Sequence, residues 1–98
     1  QGAEIGKVRP VVVLTENRLL DAHISMVMIV PLSSQYWAGM ESLRVEILPR
    51  ERLLKSSYCV IEQTRSIDRN RISDEVLASL TTREMAQLEK QLRYLTGL

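Results

Sequence analysis

Thr81-Thr82-Arg83-Glu84-Met85-Ala86-Gln87-Leu88-Glu89-Lys90-Gln91-Leu92-Arg93-Tyr94-Leu95-Thr96-Gly97-Leu98 closes the chain, and its reading sets the fold class. Thr81 followed by Glu84 has the capping-box spacing, in which hydroxyl and carboxylate satisfy each other's free backbone N–H groups at a helix start. Met85, Leu88, Leu92 and Leu95 recur at helical spacing and make one apolar stripe. Gly97 stands where a left-handed C-terminal cap belongs. The segment is predicted as an amphipathic helix laid on a sheet, and that sheet must come from the residues before it.

Working back from the helix, the patterns are those of short strands. Val11, Val12, Val13 and Leu14 form a β-branched run after Pro10, which suits the first position of a strand. Both faces of that strand are expected to be covered. Glu16 to Ser25 reads as a polar connection, and Met26 to Pro31 as a second buried strand closed by Pro31. Ser33 to Glu41 has no period and reads as a loop. Leu43, Val45 and Ile47 alternate with Arg44 and Glu46, the signature of a half-exposed strand. After a turn from Pro49 to Lys55, Ser57 to Gln63 is predicted as a fourth strand. Ser66 to Asn70 reads as a turn, and Ser73 is placed to cap a short helix carrying Val76 and Leu77. Strands first and a helix last predict a mainly β, α+β domain: a compact, strongly curved sheet with the helix across it.

Composition narrows the function classes. At 98 residues the chain has room for one domain, 1–98. Hydrophobic residues make up 45%, with no Phe, so Val, Ile, Leu and Met must fill the core. A small core of this kind is often stabilised by pairing with a second copy. The net charge of +1 gives no general attraction to nucleic acid. Any such site must arise from local placement of Arg and Lys. Cys59 is the only cysteine, which excludes an internal disulfide and suits a reducing cytosol. Its flanks Tyr58 and Val60 mark it as a buried structural thiol. One His and one Cys, far apart, offer no metal-ligand set, and no cofactor is expected. No apolar run approaches the roughly 20 residues that cross a bilayer, and no secretory pattern opens the chain.

Three segments in order resemble the MazF/PemK (also Kid) toxin family. The first is Gly2-Ala3-Glu4-Ile5-Gly6-Lys7-Val8-Arg9-Pro10 running into Val11-Val12-Val13-Leu14. The second is Ile29-Val30-Pro31-Leu32-Ser33-Ser34, like the strand that ends in a hydroxyl residue at the active site. The third is Val60-Ile61-Glu62-Gln63-Thr64-Arg65-Ser66-Ile67-Asp68. Two features depart from the pattern. Relatives begin with a further strand before the Gly-Glu loop, so trimming is the expected reason for its absence here, since an open edge beside Val11 to Leu14 invites aggregation. The hydroxyl position, commonly Thr, is Ser33.

The resemblance implies a small SH3-like curved sheet or barrel of the MazF/CcdB type. It also implies the toxin of a type II toxin–antitoxin system, held as a cytoplasmic homodimer and neutralised by an antitoxin. The implied activity is metal-independent cleavage of single-stranded RNA, leaving 2′,3′-cyclic phosphate and 5′-hydroxyl ends. Two alternatives remain: a CcdB-like gyrase inhibitor on the same fold that cuts nothing, and a small-barrel RNA-binding module without cleavage.

By the same resemblance Arg9 and Ser33 are the catalytic pair. A guanidinium suits bidentate contact with phosphate oxygens, while its pKa above about 12 makes proton abstraction costly. A salt bridge to Glu4 is the plain alternative for Arg9, and turn formation the plain alternative for Ser33. Glu4 either orients Arg9 and contacts a base or is a solvated loop carboxylate. Ser34 and Gln35 are expected to line the same groove. Gln63 and Arg65, as i and i+2 residues ending the fourth strand, are expected to share a face and contact RNA. Asp68 and Arg69 are expected to hold the next turn. His23, the only histidine, is read as a loop residue with some RNA contact, with a catalytic base as its alternative, and Trp37 as either a base-stacking or an interface residue.

Overall fold

The computed structural model describes residues 9–98; Glu4 lies outside them. Five antiparallel strands form an open, curved sheet: β1 (Val11–Val13), β2 (Met26–Ser33), β3 (Arg44–Ile47), β4 (Ser57–Val60) and β5 (Arg65–Asp68). The order is β1-β2-β4-β3, with β5 also paired to β2. Helix α1 (Asn17–Asp21) and three short 3-10 turns fill the connections, and α2 (Thr82–Thr96) closes the chain. The expected class, a curved sheet with a terminal helix, is the one observed.

β2 is the spine, and its apolar run has a specific cause. In its first half Val27 and Ile29 are buried while Met26 and Met28 are 48% and 46% exposed. In its second half the buried side switches to Val30 and Leu32, and Pro31 and Ser33 are half-buried. A curved strand that buries opposite faces at its two ends reads as a continuous hydrophobic segment.

Pro31 lies inside this strand rather than closing it. The Leu32 N–H donates to the Pro10 carbonyl and the Leu14 N–H to the Met28 carbonyl. Even-numbered residues of β2 therefore face β1, and Pro31 turns its missing N–H to the other edge. There the ladder is already interrupted. Ser33 faces Tyr58 and Leu32 faces Cys59. If β4 simply continued, Ile29 would face Glu62, yet it faces Arg65, three residues later. The 3-10 turn Ile61–Gln63 supplies those residues, sending Ile61 into the core. The predicted fourth strand thus ends at Val60, and the predicted turn after it is β5.

Val12, Val30, Leu32, Val45, Ile47, Leu53, Cys59, Ile61 and Leu88 form the main core. Burial pushes the Cys59 thiol up to about 12, as expected of a structural cysteine. Helix α2 has the predicted capping box, with Glu84 N–H donating to Thr81 Oγ1 at 3.1 Å and Thr81 N–H to Glu84 Oε1 at 2.8 Å. Gly97 ends it at φ 77°. Of the apolar stripe only Leu88 is fully buried, with Leu92 packed beside it, while Met85 and Leu95 stay exposed. Gln91 Nε2 pins the helix to the carbonyls of Glu41 (3.2 Å) and Arg44 (2.7 Å). Glu84 also receives a two-pronged ion pair from Arg50, at 2.6 and 2.5 Å.

Three other expectations are corrected. β1 is covered on one face only, since Val13 is exposed. The connection after it contains α1, capped by Glu16, whose carboxylate accepts from Arg18 N–H at 2.9 Å. No helix forms around Val76 and Leu77: Ser73 Oγ accepts from Glu75 N–H (3.0 Å) in a tight turn, and Arg52 N–H takes the Leu77 carbonyl. Those bonds take the place of a helix, and Ala78 and Leu80 pack on the core.

Candidate functional site

The ladder registers place four side chains in one row across the sheet face opposite the main core. Val11 faces Pro31, and the hydrogen bond from Leu32 to Pro10 at 3.2 Å carries the ladder beyond Val11. One residue further, the register sets Arg9 across from Ser33. Because Pro10 and Leu32 share a ladder bond, Arg9 and Ser33 form the alternate, non-bonded kind of pair, in which side chains lie closest. On the other edge of β2, Ser33 faces Tyr58, and Tyr58 faces Glu46. The row is Arg9, Ser33, Tyr58, Glu46.

Each member has a local reason for its position. Arg9 is exposed, immediately before the strand whose Val12 anchors in the core. Ser33 ends β2, and its Oγ accepts from the Gln35 N–H at 3.1 Å. That bond makes the turn expected of Ser-Ser after a strand. It uses Oγ as acceptor, which leaves the hydroxyl proton to donate. The turn carries Ser34 and Gln35, both exposed, past the row. Trp37 follows, 60% exposed.

Beyond Ser33 the surface sinks into an open depression of about 330 Å³ lined by Tyr36, Glu41, Arg44, Glu46 and Tyr58. The rings of Tyr36 and Tyr58 lie 5.0 Å apart at 50°. Tyr36 Oη donates to Glu41 Oε2 at 3.0 Å, and the Gly39 N–H donates to the same oxygen at 2.9 Å. The Gly39 amide, with Tyr36, holds the Glu41 carboxyl below its ordinary range, while Glu41 in turn raises the Tyr36 phenol. Arg44 is 6% exposed and bidentate to Glu62 at 2.7 and 3.0 Å, which lowers the Glu62 carboxyl. Glu46 has no hydrogen-bond or ion-pair partner among the described residues.

Continued past Val11, the β1–β2 register points Arg9 toward Ser33, and Ser34 and Gln35 follow on the turn after it. Gln63 and Arg65 do not end one strand: Gln63 closes the 3-10 turn and Arg65 opens β5, tied to it by a 3.4 Å hydrogen bond to the Gln63 carbonyl. Arg65 faces Ile29, so it shares the Ser33 side of β2 but lies four residues, about 13 Å, along it. Asp68 and Arg69 do hold the next turn: Asp68 Oδ1 accepts from the Asn70 N–H at 2.8 Å and the Arg69 carbonyl accepts from the Ile72 N–H at 3.1 Å. His23, exposed at φ 57° after α1, lies beyond the far end of β2. Among the described residues no three His, Cys, Asp or Glu are grouped to hold a metal ion.

Tyr36, Tyr58, Glu41 and Glu46 were not legible as a site. The alternation of β3 marked Glu46 only as solvent-facing, and the pairing of Ser33 with Tyr58 is a property of register.

A curved open five-stranded sheet with a terminal helix laid over it is the fold of MazF-type toxins. It is similar to the Mycobacterium tuberculosis toxin MazF-mt6, with a TM-score of 0.80, 18% identity and coverage of 96% of this chain and 91% of that one. It is likewise similar to an Mtb toxin, with a TM-score of 0.77, 18% identity and coverage of 90% and 92%. Residues 1–96 match the family described as PemK-like, MazF-like toxin of type II toxin-antitoxin system. The chain belongs to that family. As the toxin of such a system it implies a cognate antitoxin. No curated protein matches it by sequence. No helix among the described residues is long and apolar enough to cross a membrane.

Proposed function

We propose that this toxin is a metal-independent, sequence-specific endoribonuclease acting on single-stranded mRNA. The observation that supports the reading is the β1–β2 register, which, continued past the Leu32–Pro10 hydrogen bond, sets Arg9 opposite Ser33 at the rim of the sheet. RNA supplies its own nucleophile, the 2′-hydroxyl. That oxygen gives up its proton as it attacks the adjacent phosphorus, and the bond to the 5′-oxygen breaks as that oxygen takes up a proton, leaving a 2′,3′-cyclic phosphate and a 5′-hydroxyl. The protein's task is to hold the three atoms in line and to stabilise charge on the phosphoryl oxygens. Arg9 presents a permanent cation with paired donors, and Ser33 a free hydroxyl proton.

Ser34 and Gln35, exposed on the turn after Ser33, are placed to track the strand, and Glu4, Gln63 and Arg65 complete the proposed RNA contacts. The active form is a homodimer, and the antitoxin blocks it by laying a disordered acidic tail over the Arg9 rim, folding as it binds.

The test is incubation of a long single-stranded RNA with the protein in EDTA, with Arg9→Ala and Ser33→Ala in parallel. Cleavage by the parent, with 5′-hydroxyl ends, is expected. Each variant should lose roughly 10²–10³-fold in rate, the usual cost of removing one charge-stabilising donor. Intact RNA with folded parent protein refutes the proposal.

A further inference from the structure

The depression beside Ser33 is a separate feature from the Arg–hydroxyl rim, and its chemistry selects a ligand. Its open charged group is Glu46, because Glu41 is held by Tyr36 and Gly39 and Arg44 by Glu62. A pocket whose open group is a carboxylate disfavours phosphate. Its walls are two tyrosine rings, one half-buried in the sheet and one tied at its hydroxyl. Aromatic faces take a flat base by stacking. The volume, about 330 Å³, falls at the small end of ligand sites.

We propose that this depression is a nucleobase subsite selective for guanine, with Tyr36 and Tyr58 as the stacking walls and Glu46 as the reader. The inference rests on the endoribonuclease reading for its substrate, single-stranded RNA. Guanine is the base whose pairing edge carries two adjacent donors, N1–H and the 2-amino group. A carboxylate accepts both at once. Uracil presents one N–H between two carbonyls, which repel a carboxylate. Adenine and cytosine each set one amino group beside a ring nitrogen that is itself an acceptor. Strands lie roughly 4.8 Å apart, so Glu46 is two spacings from Ser33 and Tyr58 lies between them. A nucleotide whose phosphate meets Ser33 and Arg9 directs its base along this row.

The probe is a set of 2′-O-methyl uridine octamers with one central base changed to guanine, inosine, adenine or cytosine. The methyl group removes the nucleophile, so binding is read without cleavage. The tyrosine ring signals of the full chain are followed by NMR, assigned with Tyr36→Phe and Tyr58→Phe. The guanine octamer should bind roughly ten- to a hundredfold tighter than all-uridine, the range of one good bidentate base contact. It should shift both rings, and inosine, lacking the 2-amino group, should fall between. Glu46→Gln should flatten the series. Equal binding of all octamers, unmoved rings, or no binding at all overturns the proposal. Ring shifts from N-acetylarginine amide but not from the guanine octamer also overturn it, and assign the pocket to a basic side chain of a protein partner. Unmodified octamers run in parallel separate the two readings: cleavage without base preference removes the subsite alone, and preference without cleavage removes the endoribonuclease alone.

Discussion

Glu84 joins the helix to the sheet through one carboxylate, and replacing it should weaken the protein measurably. In the fold it accepts a bidentate pair from Arg50, whose side chain is 20% exposed against 12% for Glu84, and it completes the capping box on Thr81. Removing one partner of a fully buried pair costs about 3–5 kcal/mol. Partial solvent access roughly halves that figure, to about 2 kcal/mol. Loss of the cap adds about 0.5–1 kcal/mol. Glu84→Ala should therefore cost about 2–3 kcal/mol, a large part of the stability of so small a domain. The measurement is urea unfolding at neutral pH, with Arg50→Met and the double variant completing a cycle.

Acid gives a second handle on the same group. The Arg50 bonds hold the Glu84 carboxyl below its ordinary value of 4.5. A carboxyl depressed by folding contributes stability above that value and loses it as pH falls through the folded value. The advantage of the parent over Glu84→Gln should be full at neutral pH and shrink as pH drops below about 4.5. A loss under about 0.5 kcal/mol for Glu84→Ala, or a pH-independent gap to Glu84→Gln, would refute the reasoning.

Ser33→Thr should keep RNA cleavage within roughly tenfold of the parent, since it keeps the hydroxyl, whereas Ser33→Ala should not, with unchanged thermal midpoints for both. Glu62→Gln leaves the Arg44 guanidinium, 6% exposed, without its counter-charge; a destabilisation of about 1–3 kcal/mol is expected by urea unfolding. Cys59, buried with its thiol at about 12, should be silent to a disulfide reagent at pH 8 and react only in denaturant. Sedimentation at micromolar concentration should give a dimer, and a stable monomer would remove that part of the proposal.

Short-range chemistry was legible in the chain itself. The Thr81–Glu84 box and the Gly97 cap are local bonds within a helical turn or two, so their residue types announce them. The alternation of Val45 and Ile47 with Arg44 and Glu46 likewise follows from the two-residue period of a strand. Order and spacing of the Arg9, Ser33 and Gln63–Arg65 segments pointed to the family. What distance in the sequence hides, packing decided. The face switch at Ile29–Val30 comes from curvature, and the 3-10 turn at Ile61–Gln63 ends the predicted fourth strand at Val60 and lets β5 pair with β2 where a turn was expected. The pairings of Ser33 with Tyr58 and of Tyr58 with Glu46 depend on register, which a strand's own residues leave open until a partner strand is in place. Arg44 and Glu46 look alike as solvent-facing charges in sequence. Only the tertiary structure gives one of them an ion-pair partner in Glu62 and leaves the other open on an aromatic-walled depression.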